Sequence, residues 1–160
     1  MHSTAARYQE LAREEHDFDV SVEELPEGTH SAADAAEAIG CPLGAIVKSV
    51  VLIVEWEDGS SAPVIAYASG EHRVDVDTLA DHLGATGART ANPDEVKEYT
   101  GWSIGGVPPV GHGIERTLFD ETLLEHESIW GGAGTPEAVA AFDPEAVVSA
   151  TDAEVADVFE

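Results

Sequence analysis

The segment Gly101–Gly113 has the composition of a loop that could hold a ligand. It contains five glycines and two prolines in thirteen residues, and both residue types disfavour a helix interior or a central strand. Gly105 and Gly106 permit positive φ and close approach of a ligand to main-chain N–H groups, while Pro108 and Pro109 stiffen the chain that follows. Such a loop can donate hydrogen bonds to an anion or an oxyanion. An ordinary Gly/Pro connection is the alternative.

A lysine interrupts the most apolar segment of the chain. Ala45–Val54 is almost continuously apolar and β-branched, as is typical of a strand covered on both faces, but it contains Lys48 and Ser49. Alternation places Lys48 on the same face as Val50 and Leu52, so its ammonium must be paired, reach an edge of the sheet or titrate with a lowered pKa. A partly buried lysine beside a donor-rich loop suits an acyl or phosphate-bearing substrate. A lysine whose head lies in solvent is the alternative.

Two further titratable side chains could take part in chemistry. His112 could orient a substrate hydroxyl, transfer a proton near neutral pH or only bind the loop backbone. Asp120 follows a strand end and could pair with Lys48, although a solvated aspartate is common there. The lone Cys41 permits no intramolecular disulfide and has no base beside it in sequence, so a catalytic thiol is disfavoured.

Other classes of site are not supported. The seven histidines lack the close spacing of a zinc site, so we expect no metal. Residues 101–105 have the letters Gly-x-Ser-x-Gly, but they follow a predicted helix, whereas a nucleophile elbow follows a strand, so we do not expect a serine hydrolase. The chain has no Gly-Lys-Ser phosphate loop, which argues against a P-loop enzyme.

These features together resemble a known family. Lys48 in its apolar strand, the sequence Gly-Gly-Val-Pro-Pro-Val-Gly-His in the loop, Asp120 and the turn Gly131–Gly134 resemble the YbaK-type aminoacyl-tRNA deacylases, which occur free-standing or within prolyl-tRNA synthetases. The resemblance covers about residues 29–158, and we expect residues 1–160 to form one such editing domain. It implies a hydrolase that trans-edits mischarged aminoacyl-tRNA by ester hydrolysis at the 3′ end. The expected substrate is tRNA-Pro carrying cysteine, alanine or another small amino acid.

The resemblance also implies roles for individual residues. Lys48 would hold the substrate carbonyl or terminal phosphate, and the N–H groups around Gly105 and Gly106 would stabilise the oxyanion, with His112 as a further catalytic residue. Water would attack, with the substrate's ribose hydroxyl as one route to its activation, and no cofactor is needed. The substrate-binding residues are expected to be Thr29, His30, Ser49, Gly101, Pro108, Pro109, Asp120, Gly132 and Gly134.

The specificity and the activity itself leave alternatives open. Alanine-preferring branches often carry a histidine-proline element where this chain has Trp130-Gly131-Gly132, so a preference for alanine is doubtful. Trp102 and Trp130 could stack on a terminal adenine or pack in the core. A non-catalytic module that binds an aminoacyl or nucleotide-like ligand is the main rival function, and an acidic interaction domain without a pocket is a third.

The charge of the chain restricts its partners. Thirty-two acidic against seven basic side chains give a net charge of −25, as is typical of a cytoplasmic protein in molar salt, where screening is strong. In dilute buffer this charge repels nucleic acid. We therefore expect a small footprint on the acceptor end of tRNA, no binding to DNA or membranes, and a monomer or weak homodimer.

Short alternating helices and strands predict a single α+β domain with a mixed, strongly curved sheet, and the resemblance implies a distorted barrel flanked by helices. Residues Glu121–Glu127 are ambiguous. The predicted helices are Thr4–Glu15, Ala32–Ile39, Val76–Leu83, Asp94–Tyr99 and Pro144–Ala150. The predicted strands are Phe18–Leu25, Ala45–Val54, Pro63–Ala68, Ile114–Phe119, Ser128–Trp130, Ala138–Phe142 and Glu154–Phe159, with Pro63–Ala68 antiparallel to the lysine strand.

Overall fold

The computed structural model describes residues 3–16, 18, 20–26 and 31–160. Within these residues the helices are α1 Ser3–His16, α2 Ala32–Ile39, α3 Val76–His82, α4 Pro93–Thr100 and α5 Pro144–Thr151. The strands are β1 Val22–Glu24, β2 Val47–Glu55, β3 Ser61–Ser69, β4 Gly87–Thr90, β5 Thr117–Phe119, β6 Ile129–Gly132, β7 Ala138–Phe142 and β8 Glu154–Val155. Short 3-10 turns lie at Leu43–Ala45 and Glu121–Glu125. None of the described helices is both long and apolar enough to span a membrane.

The strands form two sheets. One has the order β4-β2-β3-β5-β8 and the other the order β1-β7-β6. The β2–β3 pair is antiparallel, as predicted, and β5 runs parallel to β3, so the larger sheet is mixed. An isolated parallel bridge between Ile46 and Trp130 links the two sheets. The single α+β domain is confirmed, but the barrel-like sheet is not, because the strands divide between two sheets and neither closes on itself.

Several predicted strands are shorter than expected. Of the predicted strand Phe18–Leu25, only Val22–Glu24 forms a strand among the described residues. The two other shortened strands, predicted from Ile114 and from Glu154, are Thr117–Phe119 and Glu154–Val155. Phe159 instead makes an antiparallel bridge to Val74. The sequence analysis missed β4, because Gly-Ala-Arg-Thr carries no apolar alternation and pairs only at the edge of the sheet. The ambiguous segment after Asp120 is the second 3-10 turn, with the aspartate as its N-cap.

The helix α4 leads into the glycine-rich loop with a defined start and stop. Asn92 accepts a hydrogen bond from the Glu95 N–H at 2.9 Å, and the Glu95 carboxylate accepts one from the Asn92 N–H at 3.0 Å. This capping box precedes Pro93 at the first helical position. Gly101 ends the helix with φ of 80°, a conformation that suits glycine. The loop therefore starts from a fixed point.

The two faces of the larger sheet pack against different elements. Val51, Ile53 and Tyr67 belong to the core cluster that includes the glycine-rich loop and the smaller sheet. Leu52 and Val54 belong to a second cluster with residues of α3 and the C-terminal segment. The period-two alternation predicted for β2 thus separates two apolar cores, one on each face.

Glycines let the main chain of residues 101–113 lie directly against β6 and the turn that follows it. A Cβ atom on Gly106 would lie 2.6 Å from backbone atoms of Thr135, and one on Gly132 would lie 2.8 Å from the carbonyl carbon of Gly106. One on Gly131 would lie 2.7 Å from the Pro109 ring. These three glycines are required by close approach and not by backbone conformation, because none of the three has a positive φ.

A buried chain of hydrogen bonds attaches the end of the loop to β3. The Tyr67 hydroxyl donates to the Pro109 carbonyl at 2.7 Å and lies 2.6 Å from His112 Nε2. Because the Ile114 N–H donates to His112 Nδ1 at 3.0 Å, Nε2 carries the proton and donates to Tyr67. Burial, with a smaller contribution from His16, lowers the pKa of His112 to about 4. The imidazole is therefore neutral at pH 7.

We expect Gly106→Ala to lower the free energy of unfolding by roughly 1–3 kcal/mol, because the added methyl group overpacks a backbone contact. Urea denaturation followed by circular dichroism measures this difference. Gly87→Ala is the matched control, since a Cβ there meets no atom within 4 Å. Equal stability of the two variants would show that the loop does not depend on this contact.

We expect the neutral state of His112 to make stability depend on pH. Its pKa is about 4 in the folded protein and about 6.5 when unfolded, so protons bind the unfolded chain preferentially between these values. The stabilisation is complete above about pH 6.5 and is lost as the pH falls toward 4, by up to about 3 kcal/mol. Urea titrations of wild type and His112→Gln across this range measure it, with the exposed His82→Gln as control. An identical pH dependence in wild type and His112→Gln contradicts the assignment.

Candidate functional site

A cavity of about 580 Å³ lies between β2, the glycine-rich loop, β6 and the starts of α2 and α4. Most of its wall is apolar, and the polar side chains on it belong to Ser31, Lys48, Ser49 and Thr90. β4 pairs with β2 only from Leu52 onward, which leaves the first half of β2 free of this neighbour beside the cavity. Both predicted features, the lysine strand and the glycine loop, therefore meet at one site.

Lys48 is half-buried on the cavity wall. Its ammonium donates a hydrogen bond to the main-chain carbonyl of His72. Burial lowers the pKa of Lys48 below its ordinary value, and the negative charge of Asp120 opposes this shift. Because an ammonium has three donors, two remain for a ligand.

Asp120 is buried, and its carboxylate contacts Ser69, His72 and Thr122 instead of the Lys48 ammonium. One carboxylate oxygen, Oδ2, accepts from the Ser69 N–H at 3.0 Å and lies 2.8 Å from His72 Nδ1. The other oxygen accepts from the Thr122 N–H at 3.1 Å. Neither alternative for Asp120 holds: His72 lies between it and Lys48, so the two do not pair directly, and the carboxylate is buried instead of solvated. A direct substrate contact by this carboxylate is also disfavoured, because neighbouring groups already occupy it.

Gly105 and Gly106, the two predicted oxyanion donors, have different environments in the first turn of the loop. Gly106 donates its N–H to the Ser103 carbonyl at 2.9 Å, and Gly105 has φ of 83° at the third position of this turn, which is the geometry of a type II turn. The Gly106 carbonyl accepts from the Gly134 N–H at 2.9 Å. In this conformation the Gly106 N–H is unavailable to a ligand. Gly105, by contrast, lies on the cavity wall.

Several other predicted site residues support the loop and do not line the cavity. His112 is 4% exposed and binds Tyr67 and Ile114, so the geometry favours the backbone-binding alternative over proton transfer. Gly101 ends α4. Pro109 accepts the Tyr67 hydrogen bond. The buried Pro108 and the αL residue Gly134 also lie outside the lining set.

The remaining predicted residues differ in their access to the cavity. Ser49 and Gly132 both line it, but the Ser49 hydroxyl oxygen is buried and has no hydrogen-bond partner. That hydroxyl would need the wall to open before it could bind a substrate. Thr29 and His30 lie outside the described residues.

The two tryptophans take different roles. Trp102 is 4% exposed, packs edge-on against Tyr8 with ring centroids 5.6 Å apart and donates its indole N–H to Gly111 at 3.0 Å. It is a core residue and cannot stack on a base. Trp130 is half-buried and lines the cavity. Of the two tryptophans, it is therefore the one that a base in the cavity could stack on.

Two parts of the site were missed by sequence reasoning. Ile104, half exposed at 50%, and Val107 bring apolar side chains of the loop to the cavity. The main-chain carbonyl of His72 accepts a hydrogen bond from the Lys48 ammonium, and no pattern of side chains could indicate this contact. The described residues hold no cluster of three or more side chains suited to a metal ion.

Comparison with known proteins places this site in a family. A family model described as an aminoacyl-tRNA editing domain matches residues 26–149. The proline–tRNA ligase of Nitratidesulfovibrio vulgaris Hildenborough is 30% identical over 104 residues, which are 64% of this chain and 17% of the ligase. The multifunctional Ser/Thr-tRNA deacylase ProXp-y of Escherichia coli K12 is 33% identical over 100 residues, 60% of this chain and 59% of that protein. The chain thus spans about a sixth of the ligase's length and less than two thirds of the deacylase's.

A solved structure agrees with these sequence matches. A protein described as a candidate trans-editing enzyme for prolyl tRNA synthetase superposes with a TM-score of 0.87 and 38% identity, over 100% of this chain and 99% of that one. The resemblance to YbaK-type and prolyl-tRNA synthetase-associated domains is confirmed. The family model covers far more than half of the sequence, and the chain therefore belongs to the aminoacyl-tRNA editing domain family.

Proposed function

We propose that this chain is an aminoacyl-tRNA deacylase that hydrolyses the ester bond of mischarged tRNA in trans. The observation that carries the proposal is the position of Lys48, a half-buried cation on an apolar cavity that also contains the Gly105 backbone. Membership of the editing-domain family supports it. The similarity to a protein named as a Ser/Thr-tRNA deacylase and to one described as a candidate trans-editing enzyme also supports the proposal.

The geometry suggests how the chain would act on the ester. The two free donors of Lys48 would hold the ester carbonyl or the terminal phosphate, and the Gly105 backbone would approach the developing oxyanion from the opposite wall. Water would attack the carbonyl carbon, and collapse of the tetrahedral intermediate would release the amino acid and the ribose hydroxyl. Since His112 is buried away from the cavity, no step is assigned to it.

The cavity limits the class of substrate. Its walls come mainly from alanine, valine and isoleucine side chains, with few polar groups between them. A volume of about 580 Å³ lies in the range of small-molecule sites and suits a small aminoacyl group attached to a terminal nucleotide. We propose tRNA-Pro carrying cysteine, alanine or another small amino acid as the substrate.

The acidity of the chain shapes how it would bind tRNA. With a net charge of −25, broad contact with the phosphate backbone is unfavourable, so we propose contact with the acceptor end only. Trp130 on the cavity wall is the aromatic side chain placed to stack on a terminal base. We propose that residues 1–160 act as one editing domain in the cytoplasm, as a monomer or weak homodimer.

Replacing Lys48 tests the proposed activity. We expect Lys48→Ala to lower the rate of deacylation by about 100-fold or more, because it removes the charged donor from the cavity. The assay presents cysteinyl-, alanyl-, seryl- and threonyl-tRNA-Pro in about 2–3 M KCl, where screening of the acidic surface is strong. Lys97→Ala is the matched control, since Lys97 is exposed on α4, donates to the Gly101 carbonyl at 3.1 Å and does not line the cavity.

The outcomes separate the candidate functions. Turnover by wild type and Lys97→Ala, with loss in a folded Lys48→Ala, supports the deacylase. Full activity of folded Lys48→Ala contradicts the role of the lysine. Binding of an aminoacyl-adenosine analogue without turnover of any tRNA favours the non-catalytic module instead.

A further inference from the structure

The turn Ser69–His72, which follows β3, lies between Lys48 and Asp120. The His72 N–H donates to the Ser69 carbonyl at 2.9 Å and closes the turn. The Ser69 hydroxyl donates to the Gly44 carbonyl at 2.9 Å and ties the turn to the 3-10 segment before β2. The turn is therefore held at a fixed distance from the strand that carries the lysine.

The carboxylate of Asp120 clamps both ends of this turn with one oxygen. Oδ2 accepts from the Ser69 N–H at 3.0 Å and contacts His72 Nδ1 at 2.8 Å. The Asp120 side chain is 5% exposed, whereas that of His72 is 33% exposed. A buried carboxylate is costly unless it is paired. Moving His72 away from Asp120 would therefore cost free energy, and this cost holds His72 in place.

His72 in turn holds the ammonium of Lys48. The lysine donates to the main-chain carbonyl of His72, so any movement of the turn moves the acceptor of that bond. The charge of Asp120 acts on Lys48 as well, since it opposes the loss of the ammonium charge on burial. Other titratable groups surround the turn: Glu71 and His126 lie beside Gly44, Arg73 follows the turn, and Glu121 and Glu125 belong to the 3-10 turn that packs against β3.

We propose that His72 and Asp120 are positioning residues for Lys48: Asp120 fixes the His72 imidazole, and the His72 carbonyl fixes the lysine ammonium at the cavity wall. The inference rests on the proposed function in one respect, since that function supplies the substrate that Lys48 would bind. Neither residue touches the substrate in this scheme. Their effect is on the direction and the protonation of the lysine.

The small number of lysines permits a direct test that needs no activity. Lys48 and Lys97 are the two lysines of the chain, so Lys97→Arg leaves one lysine whose ¹³C-labelled ε-carbon can be followed by NMR. In this background we expect Asp120→Asn to lower the Lys48 titration midpoint, because the variant removes the opposing charge. We expect His72→Ala to narrow the Lys48 signal and move it toward that of a solvent-exposed lysine.

A surface pair offers the matched control. His82 Nε2 lies 2.9 Å from Glu154 Oε2, with side chains 35% and 58% exposed, so His82→Ala breaks a similar contact away from the cavity. It should leave the Lys48 signal unchanged. His72→Asn, which retains a donor near the position of Nδ1, should restore the wild-type signal. Unchanged Lys48 signals in folded His72→Ala and Asp120→Asn would overturn the proposal.

Kinetics separate this proposal from the proposed function. In deacylation assays we expect His72→Ala to lower kcat on the order of tenfold, because a displaced catalytic group costs rate, with KM changed by less than about twofold. His72→Asn should recover most of the loss. A wild type without turnover, together with the expected NMR changes, contradicts the deacylase and supports the positioning role. An active wild type with unchanged His72→Ala kinetics and spectra contradicts the positioning role alone.

Discussion

The contact between the loop backbone and β6 is the constraint on which the rest of this site depends. Gly106 and Gly132 meet main chain to main chain, and neither position has room for a methyl group. The contact attaches the loop after α4 to the smaller sheet, while the Ile46–Trp130 bridge attaches that sheet to β2. The cavity exists because these attachments hold three separate segments around it.

Buried polar groups hold the same region from within. Tyr67 and His112 fix the end of the loop through hydrogen bonds to Pro109 and Ile114. On the opposite side, Asp120 fixes the turn that receives Lys48. Polar atoms removed from water are costly unless bonded, so each network has a narrow range of acceptable geometries. This property suits the proposed role of Lys48, which depends on where its ammonium lies.

The cavity is also compatible with the proposed tRNA substrate despite the acidity of the chain. The net charge of −25 opposes long contacts with phosphate, but the cavity wall itself is mostly apolar, with Lys48 as its cation. A ligand that enters by its aminoacyl end therefore meets apolar surface, one positive charge and the backbone of a glycine loop. Recognition by a pocket is less dependent on net charge than recognition by a surface.

The sequence alone determined the features that depend on local chemistry. Alternation along β2, the helix α4 and the glycine- and proline-rich composition of residues 101–113 depend on side chains close in sequence, and each was predicted from them. The same patterns identified Lys48 and the loop as parts of one site. Weakly patterned edges were predicted poorly: β4 was missed and β8 is shorter than expected, because edge pairing is decided by the neighbouring strand.

Only the tertiary structure decided what each site residue does. Gly105 and Gly106 are adjacent and identical in type, yet one lines the cavity and the other donates its N–H to Ser103. Asp120 is directed to His72, and Lys48 to the His72 carbonyl. These assignments depend on distances between segments far apart in the chain, which no local pattern encodes. The sequence therefore determined which groups are available, and the packing of the two sheets decided which of them line the cavity.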